Sequence, residues 1–359
     1  MTALDREVLK DDLRQLDDPH AGAPLGDAVH ALALSGNKAA VDLRLGYPAA
    51  GWHAELTRLI RARLAGHGVT ETSVDITTEI AAHAVQGGLA PLDGVKNIIA
   101  VASGKGGVGK STVAASLALA LAAEGARAGV LDADIYGPSQ PRMLGMSGAP
   151  GTTENKRILP FDVHGIQAMS LGALVKLDQA MIWRGPMASQ ALSQMVSDTL
   201  WQNLDYLIID LPPGTGDIQL TLAQRVPVAG AVVVTTPQEV ALDDVRRAVA
   251  MFRKVKVPVL GIVENMSTHV CSNCGFEEAI FGEGGGERIA AETGLALLGR
   301  LPLEASLGRS TDAGRPLVVD QPDGETARRF RALARATAAR LARQAVNTEI
   351  RMPKIRITQ

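Results

Sequence analysis

The chain has 359 residues, 46% of them hydrophobic and 21% charged, which is enough for one large domain and a small one. Its 36 Lys and Arg against 38 Asp and Glu give a formal net charge of -2, so there is no global basic bias towards nucleic acid, and 3% aromatic content argues against a platform for stacking bases. Two Cys cannot form a disulfide framework, no apolar run reaches the length of a membrane span, and the first 18 residues carry charge where a signal core would be apolar, so the expectation is a cytoplasmic protein acting on neither nucleic acid nor membrane.

In chain order, Leu4, Val8, Leu9, Leu13 and Leu16 recur at helical spacing until Asp17-Asp18-Pro19 stops the pattern. Residues 29–34 and 39–45 read as strands about Ser35-Gly36-Asn37-Lys38, with Val41, Leu43 and Leu45 alternating against Asp42 and Arg44. Trp52, Leu56, Leu59, Ile60 and Leu64 make a helical face, and Val74 and Ile76 mark a third strand. This predicts a small α+β accessory domain over residues 1–83, free of Cys. Its scattered His20, His30, His53, His67 and His83 read as solvated or hydrogen-bonded side chains, not a metal site. Residues 84–94, with Gln86-Gly87-Gly88 and Pro91, read as a linker.

From residue 95 strands and helices alternate, which predicts an α/β domain, doubly wound about a mostly parallel sheet, over 95–345, with a tail at 346–359. The buried strand 95–102 feeds Ser103-Gly104-Lys105-Gly106-Gly107-Val108-Gly109-Lys110-Ser111-Thr112, and residues 112–123 read as the helix leaving it. Gly104, Gly109, Lys110 and Ser111 fill the fixed positions of the phosphate-loop pattern G-x-x-x-x-G-K-[ST]. Glycines let successive N–H groups turn inward, and the helix start adds its positive dipole end, so a polyphosphate is held without bulky side chains. Lys110 is placed to reach the β and γ phosphates and the Ser111 hydroxyl to ligate Mg²⁺. Lys105 makes the loop the "deviant" form G-K-G-G-x-G-K-[ST], which resembles the ATPase class of partition, septum-placement and nitrogenase-reductase proteins. That resemblance implies that Lys105 reaches across a homodimer to the partner's phosphates, comparable to an arginine finger given in trans.

Further strands are expected at 128–131, 206–210, 231–235 and 259–263, with an amphipathic stretch at 239–254. Their C-terminal ends carry acidic residues and glycines, where ligands bind in such sheets. Asp210 closes an apolar strand, the setting of the acidic element that holds the Mg²⁺ water shell. Leu211-Pro212-Pro213-Gly214-Thr215-Gly216-Asp217 behind it reads as a switch segment. Asp134 is the first candidate to orient the attacking water and Asp132 the second. Asn265 can donate to and accept from an adenine edge. Arg300-Leu301-Pro302 lies where this class closes over adenine, or is a plain strand-to-loop transition.

Cys271-Ser272-Asn273-Cys274-Gly275 has the form of a knuckle, in which Gly relieves the backbone so that amides can face two thiolates. The residues after it, through Phe281-Gly282-Glu283-Gly284-Gly285-Gly286, read as loop, whereas thioredoxin-like chemistry places C-x-x-C at a helix start. Structural zinc and iron-sulfur sites use four ligands; the chain supplies two thiolates and a symmetric dimer supplies four. His269 is nearby and is either a ligand or a simple loop histidine. Thiolates alone do not choose zinc over iron.

Together the phosphate loop, Leu131-Asp132-Ala133-Asp134-Ile135-Tyr136-Gly137-Pro138-Ser139, Trp183-Arg184-Gly185-Pro186-Met187, Asp210 to Asp217, Thr236-Pro237-Gln238-Glu239, Glu264-Asn265-Met266-Ser267 and the Cys271/Cys274 knuckle resemble the Mrp-type (ApbC-type) iron-sulfur cluster carrier ATPases. The resemblance implies a homodimer that holds a labile 4Fe-4S cluster on Cys271 and Cys274 of both copies. It further implies exchange with cluster assembly scaffolds, delivery to apo iron-sulfur proteins, and hydrolysis of ATP with Lys105, Lys110, Asp134 and Asp210 as catalytic residues. The alternative is a partition- or septum-type positioning ATPase acting on DNA or membrane, with a structural zinc or an inert Cys pair. Residues 325–344 form an Arg-rich helix whose face of Phe330, Leu333, Thr337 and Leu341 is small and alanine-rich, so it is expected to pack onto the ATPase domain and not on a membrane.

Overall fold

The computed structural model describes residues 5–86, 89–135, 137–173 and 185–347. Gly87, Gly88, Tyr136, Trp183, Arg184 and the tail beyond 347 lie outside the described residues, as do the side chains of Met187 and Asp217.

Val95–Ala102, Leu204–Asp210 and Gly230–Thr235 are almost wholly buried apolar runs, as strands covered on both faces must be. They lie within an eight-stranded sheet ordered Leu297–Arg300, Val259–Glu264, Gly230–Thr235, Val95–Ala102, Leu204–Asp210, Ala128–Asp132, Ile166–Ser170, Phe161–Val163. Every pairing is parallel except the last, where Phe161–Val163 runs antiparallel to Ile166–Ser170. Side chains alternate between two layers. Ile99, Val101 and Ile208 face Leu117 and Leu121 of the phosphate-loop helix Lys110–Ala123 and Phe330 of the last helix, Glu325–Ala342. Ile98, Ala100 and Ile209 face Leu192, Leu222 and Phe252 on the opposite side. The doubly wound α/β expectation therefore holds.

The N-terminal part forms a three-stranded sheet, Val29–Ser35, Lys38–Leu45 and Glu71–Thr78. The first pair is an antiparallel hairpin; the second is parallel and needs the crossover helix His53–Ala65. Its core residues Leu9, Leu43, Trp52 and Leu56 are continuous with the cluster around the phosphate-loop helix. The polar centre of that contact is Glu124, just past the helix end, whose side chain is wholly buried. It accepts from the Gly51 amide at 2.8 Å, Arg331 Nε at 2.7 Å and Arg335 Nη1 at 2.7 Å. Arg335 Nε also donates to His20 Nε2 at 3.1 Å, so the imidazole must be a neutral acceptor, and it stands edge-on to Trp52 at 5.0 Å. Burial, with the Arg335 charge adding to it, pushes His20 down to about 4.

The start of the 84–94 stretch is tied down: the Ala84 amide donates to Ala345 at 2.8 Å, and His83 bridges to Val346. The last helix packs through Phe330, Leu333, Thr337 and Leu341, as expected. Among the described residues no helix is long and apolar enough to cross a membrane. Strands at 161–163 and 166–170 were not expected, and 297–300 was anticipated only as the strand side of the strand-to-loop transition at Arg300. The first two are short and joined by His164 at φ 52° and Gly165 at φ 78°, so the tight hairpin is written with His where Asn or Asp would advertise it. The third is four residues with a Gly inside.

Candidate functional site

Parallel register brings the acidic strand ends together: Asp210 lies opposite Val101 on one side and Asp132 on the other. The phosphate loop leaves the same end of the sheet. Gly107 and Gly109 both sit at φ 80°, which an L side chain rarely adopts, and a Cβ on Gly109 would also strike Asn265 Nδ2. Gly104 has no such φ but lies against the backbone of Asp244, where a Cβ finds no space. The Ser103 carbonyl accepts from the Gly214 amide at 3.1 Å, which joins the switch segment to the loop.

Lys110 begins the helix, is buried, and is ion-paired with the fully buried Asp210 Oδ1. Its Nζ also lies 3.4 Å from Ser111 Oγ. The other Asp210 oxygen, Oδ2, accepts from Gln140 Nε2 at 3.0 Å, and the same nitrogen donates to the Ser111 carbonyl at 3.0 Å. Gln140 is fully buried, and among the described residues its Oε1 finds no hydrogen-bond partner, nor does Ser139 Oγ beside it.

Asp132 and Asp134 have different tasks. Asp132 is buried and accepts from the amides of Asp134, Ser139 and Gln140 and from the Ser170 hydroxyl, all at 3.0–3.1 Å. Burial, then the neighbouring Asp210 charge, pushes its carboxyl above the ordinary range, against those hydrogen bonds. It shapes the loop that carries Asp134. Asp134 itself is half-buried, and its Oδ1 accepts from the Gly137 amide at 3.2 Å. Lys105 is half-buried, and no hydrogen bond or ion pair ties its ammonium to another described residue.

Beside the loop lies a pocket of about 450 Å³ lined by Gly109, Thr112, Asn265, Met266, Pro302 and Leu303. Asn265 Nδ2 donates to the Val108 carbonyl at 2.8 Å, which braces the loop while the side chain lines the pocket. Arg300 is ion-paired with Glu264 and Glu287, so from this segment Pro302 and Leu303 make the wall.

The pocket wall and the cysteine loop share a ribbon. The Leu303 amide donates to the Thr268 carbonyl at 2.7 Å, and the Val270 amide to the Leu303 carbonyl at 3.1 Å. His269–Val270 then pairs with Glu277–Glu278, so the cysteines occupy a hairpin tip and not a helix start. The tip closes with Gly275 N to Cys271 O at 2.9 Å, Gly275 taking φ 73°. Amides of Asn273 and Cys274, then the Cys274 thiol, face the Cys271 sulfur and hold its thiol below the ordinary range. Cys271 is half-buried and Cys274 exposed, with Phe276 exposed beside them at 65%. Among the described residues no group of three His, Cys, Asp or Glu side chains is placed to hold a metal, so His269 does not join the cysteines. Gly285 and Gly286, expected as loop, are instead the first residues of the helix Gly285–Thr293.

The family follows from the comparison that covers this whole constellation. A family model described as ParA: NUBPL iron-transfer P-loop NTPase matches residues 94–338. The chain belongs to that family. It is thus an ATPase of the phosphate-loop type, and the Mrp-type resemblance read from its motifs is borne out. The iron-sulfur cluster carrier protein of Escherichia coli K12 is 59% identical over 251 residues, 70% of this chain and 68% of that protein. The protein of the same name from Deinococcus radiodurans is 45% identical over 310 residues, 86% of this chain and 87% of its own length, and so extends the likeness into the N-terminal part. Among solved structures, a nucleotide-binding protein from Archaeoglobus fulgidus in complex with ADP is 37% identical, with TM-score 0.58 over 66% of this chain and 93% of that one. The cell division ATPase MinD of Pyrococcus furiosus, 22% identical with TM-score 0.51, shares the fold.

Sequence reasoning did not find Gln140, which follows Ser139 immediately, or Glu124. Both are buried polar side chains whose importance depends on partners 70 to 211 residues away in the chain.

Proposed function

We propose that this chain is an iron-sulfur cluster carrier, and that its ATPase cycle acts on a labile 4Fe-4S cluster held by Cys271 and Cys274 of two copies. The observation that carries the reading is the hairpin tip: two accessible thiols with amides aimed at one sulfur, fixed to the wall of the nucleotide pocket. Two thiolates fill half of a four-ligand centre, and a second copy across a two-fold axis supplies the rest. The names of the relatives from Escherichia coli and Deinococcus radiodurans support the cargo. Lys105 is half-buried and its ammonium is tied to no described residue, which supports a lysine available to a partner copy's phosphates.

In the ATPase half of the cycle, the amides of residues 104–109 and the start of the Lys110–Ala123 helix hold the polyphosphate. Lys110 exchanges its ion pair with Asp210 for one with the phosphates. The donor set fits a hydrated Mg²⁺, because Asp210 carries a buried carboxylate and Ser111, beside Lys110 at the start of the helix, a hydroxyl. When bound, Mg²⁺ neutralises charge developing on the transferred phosphoryl group. Asp134, on the loop shaped by Asp132, orients the attacking water, and Asn265 lines the adenine pocket.

The test is transfer. Reconstituted protein is incubated with an apo iron-sulfur enzyme, and regained activity is followed over time. Wild type should restore activity and the Cys271→Ala, Cys274→Ala double variant should not. No recovery from a wild-type protein that holds its cluster would refute the carrier reading.

A further inference from the structure

Asp210 is held from two sides, and the two holders differ in what happens to them when nucleotide arrives. On Oδ1 sits Lys110, a residue of the phosphate loop with an obvious second destination. On Oδ2 sits Gln140 Nε2, at 3.0 Å, which simultaneously donates to the Ser111 carbonyl at 3.0 Å. Gln140 is fully buried and cannot wander: its amide is clamped by Asp132 Oδ2 at 3.1 Å at the start of the helix Gln140–Met143. Its Oε1 is buried and has no partner among the described residues, which is costly for a carboxamide oxygen unless something in the working state donates to it. The described protein groups do not fill that role. A hydrated divalent cation held by Asp210 and Ser111 would carry waters with the donor chemistry required.

We infer that Gln140 is a positioning residue for the magnesium site: it keeps Asp210 oriented through Oδ2 once Lys110 has left, and its Oε1 accepts from the cation's water shell. Asp210 and Ser111 are the residues proposed above to serve the cation, so the inference rests on that assignment. It adds a third group that reads the ion without touching it. Outer hydrogen-bond partners of this kind typically change metal affinity about 10–100-fold when removed.

The experiment measures equilibrium binding of a fluorescent ATP analogue as Mg²⁺ is titrated, which reports on ion affinity without turnover, alongside the Mg²⁺ dependence of ATP hydrolysis. Gln140→Met matches the side chain in length and removes both polar groups. Affinity for the nucleotide without Mg²⁺ should stay within about twofold of wild type, because phosphate loop and Lys110 are intact, while the Mg²⁺ concentration at half effect rises about tenfold or more. Gln140→Asn keeps the carboxamide on a shorter stem and should move in the same direction, and it decides the matter if the Met variant does not fold. An unchanged Mg²⁺ midpoint in either folded variant overturns the inference. So does a loss confined to Mg²⁺-free nucleotide affinity, which a merely structural role would produce. Wild type that fails to bind the nucleotide at all would instead remove the site assignment itself.

Discussion

Replacing Glu124 by Ala tests whether the N-terminal sheet and the ATPase are one cooperative structure. The wild-type carboxylate is wholly buried and holds three donors, the Gly51 amide and two guanidinium groups, at 2.7–2.8 Å. Arg331 and Arg335 are themselves only 25% and 14% exposed, so removal of Glu124 strands two cations in a poorly hydrated seam. Breaking a buried pair costs about 3–5 kcal/mol. Residual hydration of Arg331 places the expected loss near the lower end, about 3 kcal/mol. Glu124→Gln keeps shape and acceptor but loses charge, and charge-assisted hydrogen bonds are about twice as strong as neutral ones, so it should cost about half as much. Urea unfolding followed by circular dichroism measures both; with a slope near 3 kcal/mol/M the Ala midpoint should fall by about 1 M. An Ala loss below about 1 kcal/mol would refute the seam as a buried ionic contact. Equal losses for Ala and Gln would assign the effect to packing instead of charge.

Lys110→Ala should abolish ATP turnover, since it removes charge stabilisation of the transferring phosphoryl group; unchanged turnover would overturn the phosphate-loop assignment. Lys105→Ala should leave nucleotide binding by one chain within a few-fold of wild type and lower turnover about 10³-fold or more, as loss of a residue given in trans does, with sedimentation reporting ATP-dependent association. Stability should fall on acidification through His20. Its folded value of about 4 lies below the free value of 6.5, so above 6.5 both states are neutral, and between 6.5 and 4 the unfolded chain takes the proton first. The loss across that window is about 2 kcal/mol after allowance for residual solvation, and His20→Gln should flatten it; equal urea midpoints for the wild type at pH 7 and pH 5, or the same midpoint shift in wild type and His20→Gln, would contradict the buried neutral imidazole.

Most of what positions the site was legible because it is local. The phosphate loop, the apolar strands at 95–102 and 204–210, and the knuckle at 271–275 each carry their signal within ten residues, and backbone geometry makes that signal obligatory. The small sheet was equally plain in its alternation at Val41, Leu43 and Leu45. What stayed hidden was pairing across distance. Gln140 matters through Asp210 and Glu124 through Arg331 and Arg335, and neither has a neighbour in sequence to announce it. The ranking of the two aspartates depended on the same missing information: Asp132 is revealed as the loop's clamp only by four donors converging on it. The edge hairpin at 161–170 was lost because short strands with a His-Gly turn resemble a loop.

The measurement that bears most directly on the carrier reading is iron, acid-labile sulfide and zinc per two chains after anaerobic reconstitution, for wild type beside the Cys271→Ala, Cys274→Ala variant, with nucleotide binding measured in both. The account predicts about four iron and four sulfide per pair of wild-type chains, as a 4Fe-4S centre on four thiolates holds, and none in a variant that still binds nucleotide. Zinc alone, or iron retained without the two cysteines, would contradict it.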